Sequence, residues 1–191
     1  MTVIILFVAI IISFMIRTIA RNVDWYSEDN LWIAAARTSP SSAQNHNNLG
    51  DYYGRHGDLE RSVAEFNTAI TLKPNYADAY HNLGNVYRDM GKLDDALENY
   101  KKALSFNPKI WQSYQNIAAI EYDRKNFDIA AQNVEKAIEI DPRNANLYAF
   151  LGLVLIQSGE EGKGLEYLQK ALSLDPTNQL ALSILEQQEL R

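Results

Sequence analysis

Apolar and polar positions follow two regimes along the chain. From Thr2 to Ile16 (TVIILFVAIIISFMI) there is no charge and only Thr2 and Ser13 are polar, and after Arg17 the run resumes through Thr18, Ile19 and Ala20 before Arg21. Further on, apolar residues recur at spacings of three and four, as in Tyr80, Leu83, Gly84 and Tyr87 and again in Ala96, Tyr100 and Ala103. That periodicity predicts amphipathic helices in pairs, each burying one stripe against its neighbour.

The first regime predicts a membrane-type helix over residues 1–22. Fifteen uncharged residues reach only ~22 Å as helix, short of a ~30 Å hydrocarbon core, so crossing recruits Thr18 to Ala20 with Arg17 snorkelling to the interface. Trp25 and Tyr26 then fall where an interfacial aromatic belt sits. A cleaved export signal is the alternative, with Thr18 and Ala20 as a small-residue pair, but export signals carry positive charge before the apolar run and here the arginines follow it. A span missing its first turn is also what an N-terminally truncated chain shows.

The second regime has a fixed period. The five prolines of the chain, Pro40, Pro74, Pro108, Pro142 and Pro176, stand 34 residues apart. An alanine column (Ala35, Ala69, Ala103, Ala137, Ala171) and a small-residue column (Gly50, Gly84, Ala118, Gly152) keep the same step. Proline closes each unit because it cannot continue a helix and turns its predecessor away from helical geometry. Gly57, Gly91 and Gly159 fall between the two helices of a unit, where a positive φ costs glycine nothing. Lys125 holds that place in the third unit, so a less ideal turn is expected there.

A 34-residue helix-turn-helix period resembles the tetratricopeptide repeat, whose pattern is W-x2-L-G-x2-Y, then A-x3-F, then P. His46, Leu49, Gly50, Tyr53, Ser62, Phe66 and Pro74 carry it in the first repeat, and Tyr80, Leu83, Gly84, Tyr87, Ala96, Tyr100 and Pro108 in the second. The third offers Tyr114, Ile117, Ala118, Ala130, Val134 and Pro142 with Glu121 in the tyrosine place; the fourth offers Tyr148, Leu151, Gly152, Leu155, Leu168 and Pro176 with Gly164 in the alanine place. The expected fold is all-α: a right-handed superhelical solenoid of four full repeats, 43–76, 77–110, 111–144 and 145–178. A junction and half-repeat helix over 23–42, with Ser27 as its N-cap, precede them, and a polar capping helix over 179–191 closes the open end.

Composition narrows the function classes. Of 191 residues, 18 are Lys or Arg and 24 are Asp or Glu, a formal net charge of -6 that leaves no footprint for a nucleic-acid backbone. Zero cysteines remove thiolate catalysis, disulfides and cysteine-based metal sites. His46, His56 and His81 occupy different places in the repeat and no pair shares a face with a completing carboxylate, so no metal site is expected. The run QSGEEGKG resembles a phosphate loop but has Gln157 where the first glycine belongs and Gly164 where a magnesium-holding hydroxyl belongs. No nucleophile stands with a base and an orienting group, so neither a catalytic residue nor a cofactor is expected.

What remains is a surface. In the resembled architecture the first helix of each repeat lines a concave groove, and Asn48, Asn82 and Asn116 stand one per repeat, 34 residues apart. A side-chain amide donates and accepts at once, which suits gripping an extended peptide backbone. A similar ladder serves peptide binding in the repeats of O-linked N-acetylglucosamine transferases. Asn47, Asn85, Arg88 and Gln115 extend the candidate peptide-binding set, and Phe150 ends the ladder. The lysine-arginine clamp of chaperone-binding relatives is replaced by Asn47, Asp51, Gln115 and Ala119, so a partner with an acidic tail is not expected.

The junction, through Arg21, Asn22, Asp24, Trp25, Leu31, Trp32, Ser39, Pro40, Asn48, Leu49 and Gly50, resembles the passage from last membrane helix to repeats in transmembrane-and-tetratricopeptide proteins related to protein O-mannosyltransferases. The resemblance implies repeats on the extracytoplasmic side, whereas Arg17, Arg21 and Arg37 after the span place them in the cytoplasm by the positive-inside rule. The expectation is thus a non-catalytic scaffold, anchored in a membrane through residues 2–20, whose groove binds a protein or extended peptide. The alternative is the accessory, substrate-presenting region of a multi-spanning glycosyltransferase-like membrane protein.

Overall fold

The computed structural model describes residues 10–19 and 28–189. Every regular element among them is helical. Beyond the helical stretch 10–19, the helices are α1 (Glu28–Thr38), α2 (Ala43–Arg55), α3 (Leu59–Leu72), α4 (Ala77–Asp89), α5 (Leu93–Phe106), α6 (Trp111–Asp123), α7 (Phe127–Ile140), α8 (Ala145–Ser158), α9 (Glu161–Leu174) and α10 (Gln179–Glu189). They divide into two compact units, Met1–Val86 and Tyr87–Arg191, parting inside α4.

The 34-residue frame reappears as repeated backbone geometry. At the end of each first helix the N–H of Asp58, Lys92, Asn126 or Glu160 donates to the carbonyl of Tyr53, Tyr87, Glu121 or Leu155 at 2.8–2.9 Å. The residue before each donor has positive φ: Gly57 at 79°, Gly91 at 75°, Gly159 at 94° and Lys125 at 62°. This six-to-one bond around a left-handed residue satisfies carbonyls that a helix end leaves open. Lys125 adopts the turn without glycine's freedom, and its neighbours brace it. Asn126 Nδ2 donates to the buried Glu121 carboxylate at 2.7 Å, and the Arg124 guanidinium reaches Asp94 at 2.7 Å.

In the first unit α1 packs on α2 and α2 on α3. Ala36, Leu49 and Tyr52 are buried with Trp32, Ile33 and Tyr53 around them, while Ala69, Tyr76 and Ala79 form a second cluster. Gly50 admits the Phe66 ring, since a Cβ there would stand 3.0 Å from it. Ser62, in the alanine place, donates its hydroxyl to the Gly50 carbonyl at 2.6 Å. Ser42 caps α2 and Asp58 caps α3, each accepting from a backbone N–H three residues on.

In the second unit each helix from α5 to α10 packs on the next, except that α10 also reaches back to α8. Ala103, Ala137 and Ala171 are fully buried, and each carbonyl accepts from the N–H four residues on as its helix closes. Tyr100, Val134, Leu147, Leu151, Val154 and Leu168 form the deepest layer. Tyr87, a core residue by its place in the frame, is only partly buried, because it packs on the edge of the Ala96, Leu97 and Tyr100 cluster.

No helix among the described residues is long and apolar enough to cross a membrane. Residues 10–19 leave Ile10, Ile11, Ile12, Phe14, Met15, Ile16 and Ile19 exposed. The rest of the span expected over 1–22 lies outside the described residues, as do Trp25, Tyr26, the Ser27 cap and the junction residues Arg21, Asn22 and Asp24.

Candidate functional site

The asparagines do different work in the two units. In the first unit, Tyr76 donates its hydroxyl to Gln44 Oε1 at 2.5 Å and Gln44 Nε2 donates to Asn48 Oδ1 at 2.9 Å. Asn47 Nδ2 donates to the same Asn48 oxygen at 3.5 Å, and Asn82 Nδ2 donates to Asn47 Oδ1 at 3.2 Å. Helices α2 and α4 present the amides, and the residue leading into α4, Tyr76, closes the chain. Asn47 is buried at 7% exposure, so it links its neighbours from beneath, whereas Asn48 and Asn82 are partly exposed. Among the described residues Asn48 Nδ2 and Asn82 Oδ1 have no hydrogen-bond partner, leaving one open donor and one open acceptor on a pre-oriented network. Burial, with the Asp78 charge adding to it, holds the Tyr76 hydroxyl above the usual phenol range despite the Gln44 bond, so it remains a donor.

In the second unit, Asn116 is committed at both ends. Its Oδ1 accepts from Arg88 Nη1 at 3.3 Å, and its amide bonds the hydroxyl of fully buried Tyr100. Burial pushes the Tyr100 hydroxyl up to about 12; the Arg88 charge and the Asn116 bond oppose that and the Asp89 charge adds to it. Arg88 completes its contacts on Asp89 through Nε and Nη2. Gln115 is partly buried beside Asn116. Asn85, in the first unit, pairs with His81 Nε2 at 3.3 Å. Gln44, Tyr76 and Tyr100 were absent from the sequence-derived set. The four-residue step from Gln44 to Asn48 on one helix face was a readable signal, but nothing in the pattern announces that Tyr76 or Tyr100 turns its hydroxyl to an amide.

The histidines serve packing. His46 sets its ring nitrogens against the Glu65 carboxylate at 2.6 Å and the Pro40 carbonyl at 3.1 Å, and His56 Nδ1 meets the Tyr52 carbonyl at 2.8 Å. Among the described residues no three His, Asp or Glu side chains gather closely enough to hold a metal ion.

Paired helices closed by identical turns every 34 residues define a helical-repeat protein. The tetratricopeptide repeat family matches residues 77–110, 112–144 and 145–178, and a TPR repeat family matches 55–88. The chain therefore carries tetratricopeptide repeats, an all-helical scaffold suited to protein–protein interaction. Among solved structures it is similar to a crystal structure of MamA, with 21% identity and a TM-score of 0.70 over 76% of this chain and 85% of that one. It is also similar to pilF of Pseudomonas aeruginosa, with 25% identity and a TM-score of 0.64 over 71% of this chain and 62% of that one. A MamA RS-1 double mutant shares 17% identity at a TM-score of 0.70, covering 87% and 93%. No curated protein matches the chain.

Proposed function

We propose that the chain is a non-catalytic scaffold that binds an extended segment of a protein partner on the α2 and α4 face of its first unit. The observation that supports this most directly is the amide network ending in the open donor of Asn48 and the open acceptor of Asn82. A peptide backbone offers one C=O and one N–H per residue, so an amide pair reads chain without reading sequence. Asn47 holds Asn48 and Asn82 in place, and Gln44 with Tyr76 fixes Asn48 from the other side. Asn116, Arg88 and Gln115 form the corresponding polar surface of the second unit, with Asn116 acting there through Arg88.

We further infer that residues 2–20 tether the scaffold to a membrane, which the charge-free run and the exposed apolar side chains of 10–19 support. Cross-linking of partners to the full chain, with mass-spectrometric comparison of wild type and an Asn48→Ala, Asn82→Ala variant, tests the binding face. Loss of specific cross-links at α2 and α4 is expected, and unchanged recovery refutes the amide reading. Flotation with liposomes before and after deletion of residues 2–20 tests the tether. Equal flotation of both forms refutes it.

A further inference from the structure

The second helices of the repeats share one polarity, and α1 breaks it. On the 34-residue step Leu31 stands in a column with Glu65, Asn99, Asn133 and Tyr167, and Ala34 in one with Thr68, Lys102, Lys136 and Lys170. α1 keeps its charges at its ends, Glu28 and Asp29 in the first turn and Arg37 in the last, and Asn30 to Ala36 (NLWIAAA) carries none. α1 also lacks the first helix that covers each of its counterparts. Phe66, Tyr100, Val134 and Leu168 are buried, as are Ala69, Ala103, Ala137 and Ala171, whereas Trp32 and Ala35 in the same two columns are partly exposed.

Ala36 points into the core shared with α2, with Trp32 and Ile33 packed beside it. Leu31, Ala34, Ala35 and Thr38, at i, i+3, i+4 and i+7, therefore form a stripe on the side turned away from Ala36. None of the four is fully buried. The Thr38 hydroxyl donates back to the Ala34 carbonyl at 2.9 Å, so it needs no outside partner. Residues 20–27 join α1 to the stretch 10–19 with its exposed apolar side chains, and eight residues span at most ~29 Å. We infer that α1 lies in the membrane–water interface with the Leu31, Ala34, Ala35 and Thr38 stripe against lipid, a placement that rests on the membrane tether proposed above. A lipid surface asks for a charge-free strip and no matching cavity, and small side chains around one leucine, with Trp32 at the edge, supply that. The polarity is lost only in the second helix joined directly to the apolar run, where a membrane, unlike a soluble partner, imposes it. Tether and α1 together fix how the first unit is oriented on the bilayer.

The chain has no cysteine, so Ala34→Cys and Lys102→Cys each take a single nitrobenzoxadiazole label in one column, on α1 and on α5. The labelled full chains are mixed with uncharged phosphatidylcholine vesicles, with and without doxyl groups on the acyl chains. Emission from position 34 is expected to rise about twofold as the strip enters the interface and to fall by at least half with doxyl lipid, while position 102 stays nearly constant. Adding Leu31→Asn, the residue of the same column on α5 and α7, should at least halve the rise without preventing flotation. Chains that float but respond alike at 34 and 102, or a rise that ignores Leu31→Asn, overturn the placement of α1 and leave the tether standing. A rise at 34 that follows protein concentration without vesicles assigns the strip to a second copy and overturns it too. Absence of flotation refutes the tether and the placement with it.

Discussion

Replacing Gly164 by alanine tests how closely α8 and α9 approach. The repeat frame argues for a gain, because alanine or serine fills this column as Ser62, Ala96 and Ala130 and alanine favours a helix over glycine by up to ~1 kcal/mol. The structure argues the reverse. A Cβ on Gly164 would stand 2.6 Å from Ile156 Cγ1, 2.8 Å from the Gly152 carbonyl oxygen and 3.1 Å from the Ile156 nitrogen. The isoleucine can rotate away, but the other two atoms are backbone of α8. Gly152 faces back in the same manner, a Cβ there falling 2.8 Å from the Gly164 carbonyl oxygen. The two helices must part by a few tenths of an ångström, which loosens Leu151, Val154 and Leu168, all at 0% exposure. Overpacking of this kind costs about 1–3 kcal/mol against a propensity gain of ~1 kcal/mol, for a net loss of ~0–2 kcal/mol. Gly162→Ala is the internal control, since its Cβ meets nothing within 4 Å and only the propensity gain of at most ~1 kcal/mol remains. Urea denaturation followed by circular dichroism should lower the midpoint for Gly164→Ala and leave it equal or higher for Gly162→Ala. A midpoint for Gly164→Ala above wild type refutes the close approach.

Lys125→Gly should stabilise the chain by ~0.5–1 kcal/mol, because φ of 62° strains a side-chain-bearing residue and not glycine; thermal melting checks this, and a lower melting temperature counts against it. Tyr100→Phe should remove part of the alkaline sensitivity of stability. The folded hydroxyl is pushed up to about 12 from 10.0, so the folded state holds that proton more tightly and its contribution, complete below pH 10, is lost as pH rises from about 10 to 12. The difference amounts to roughly 2–3 kcal/mol, read as a shallower fall in urea midpoint with pH in the variant. Phe66→Ala should cost ~3–5 kcal/mol, since the ring is 1% exposed against Gly50, whereas the partly buried Tyr87→Ala should cost less than that in the same denaturation assay.

The turns were legible residue by residue. A glycine or its absence at 57, 91, 125 and 159 follows from the 34-residue step, and positive φ at all four shows that the frame, not the side chain, dictates the backbone there. The amides of the candidate site were legible as positions on a face. Their roles were not, because Asn48 and Asn116 occupy one column yet one answers to Gln44 and the other to Tyr100. That difference is made by the residue each amide meets across the packing, which a periodic reading treats as equivalent. The partial exposure of Tyr87 escaped the sequence for a related reason: a column predicts which side of a helix is covered and leaves open how deeply. The contact of Gly152 with Gly164 escaped it because distance between two helices depends on both small residues together.

Within the second unit, every helix packs on a neighbour no more than two elements along the chain. Contacts that close in sequence ask for little loop closure, so each pair can form without waiting for distant parts to meet. Neighbours in the chain are then also neighbours in the core, and folding can start at any such pair and spread from it. A further repeat could be added beyond α9, or one lost, by changing only the interface where it stacks, so the length of such a protein is freer to vary over its history than that of a fold whose ends must meet.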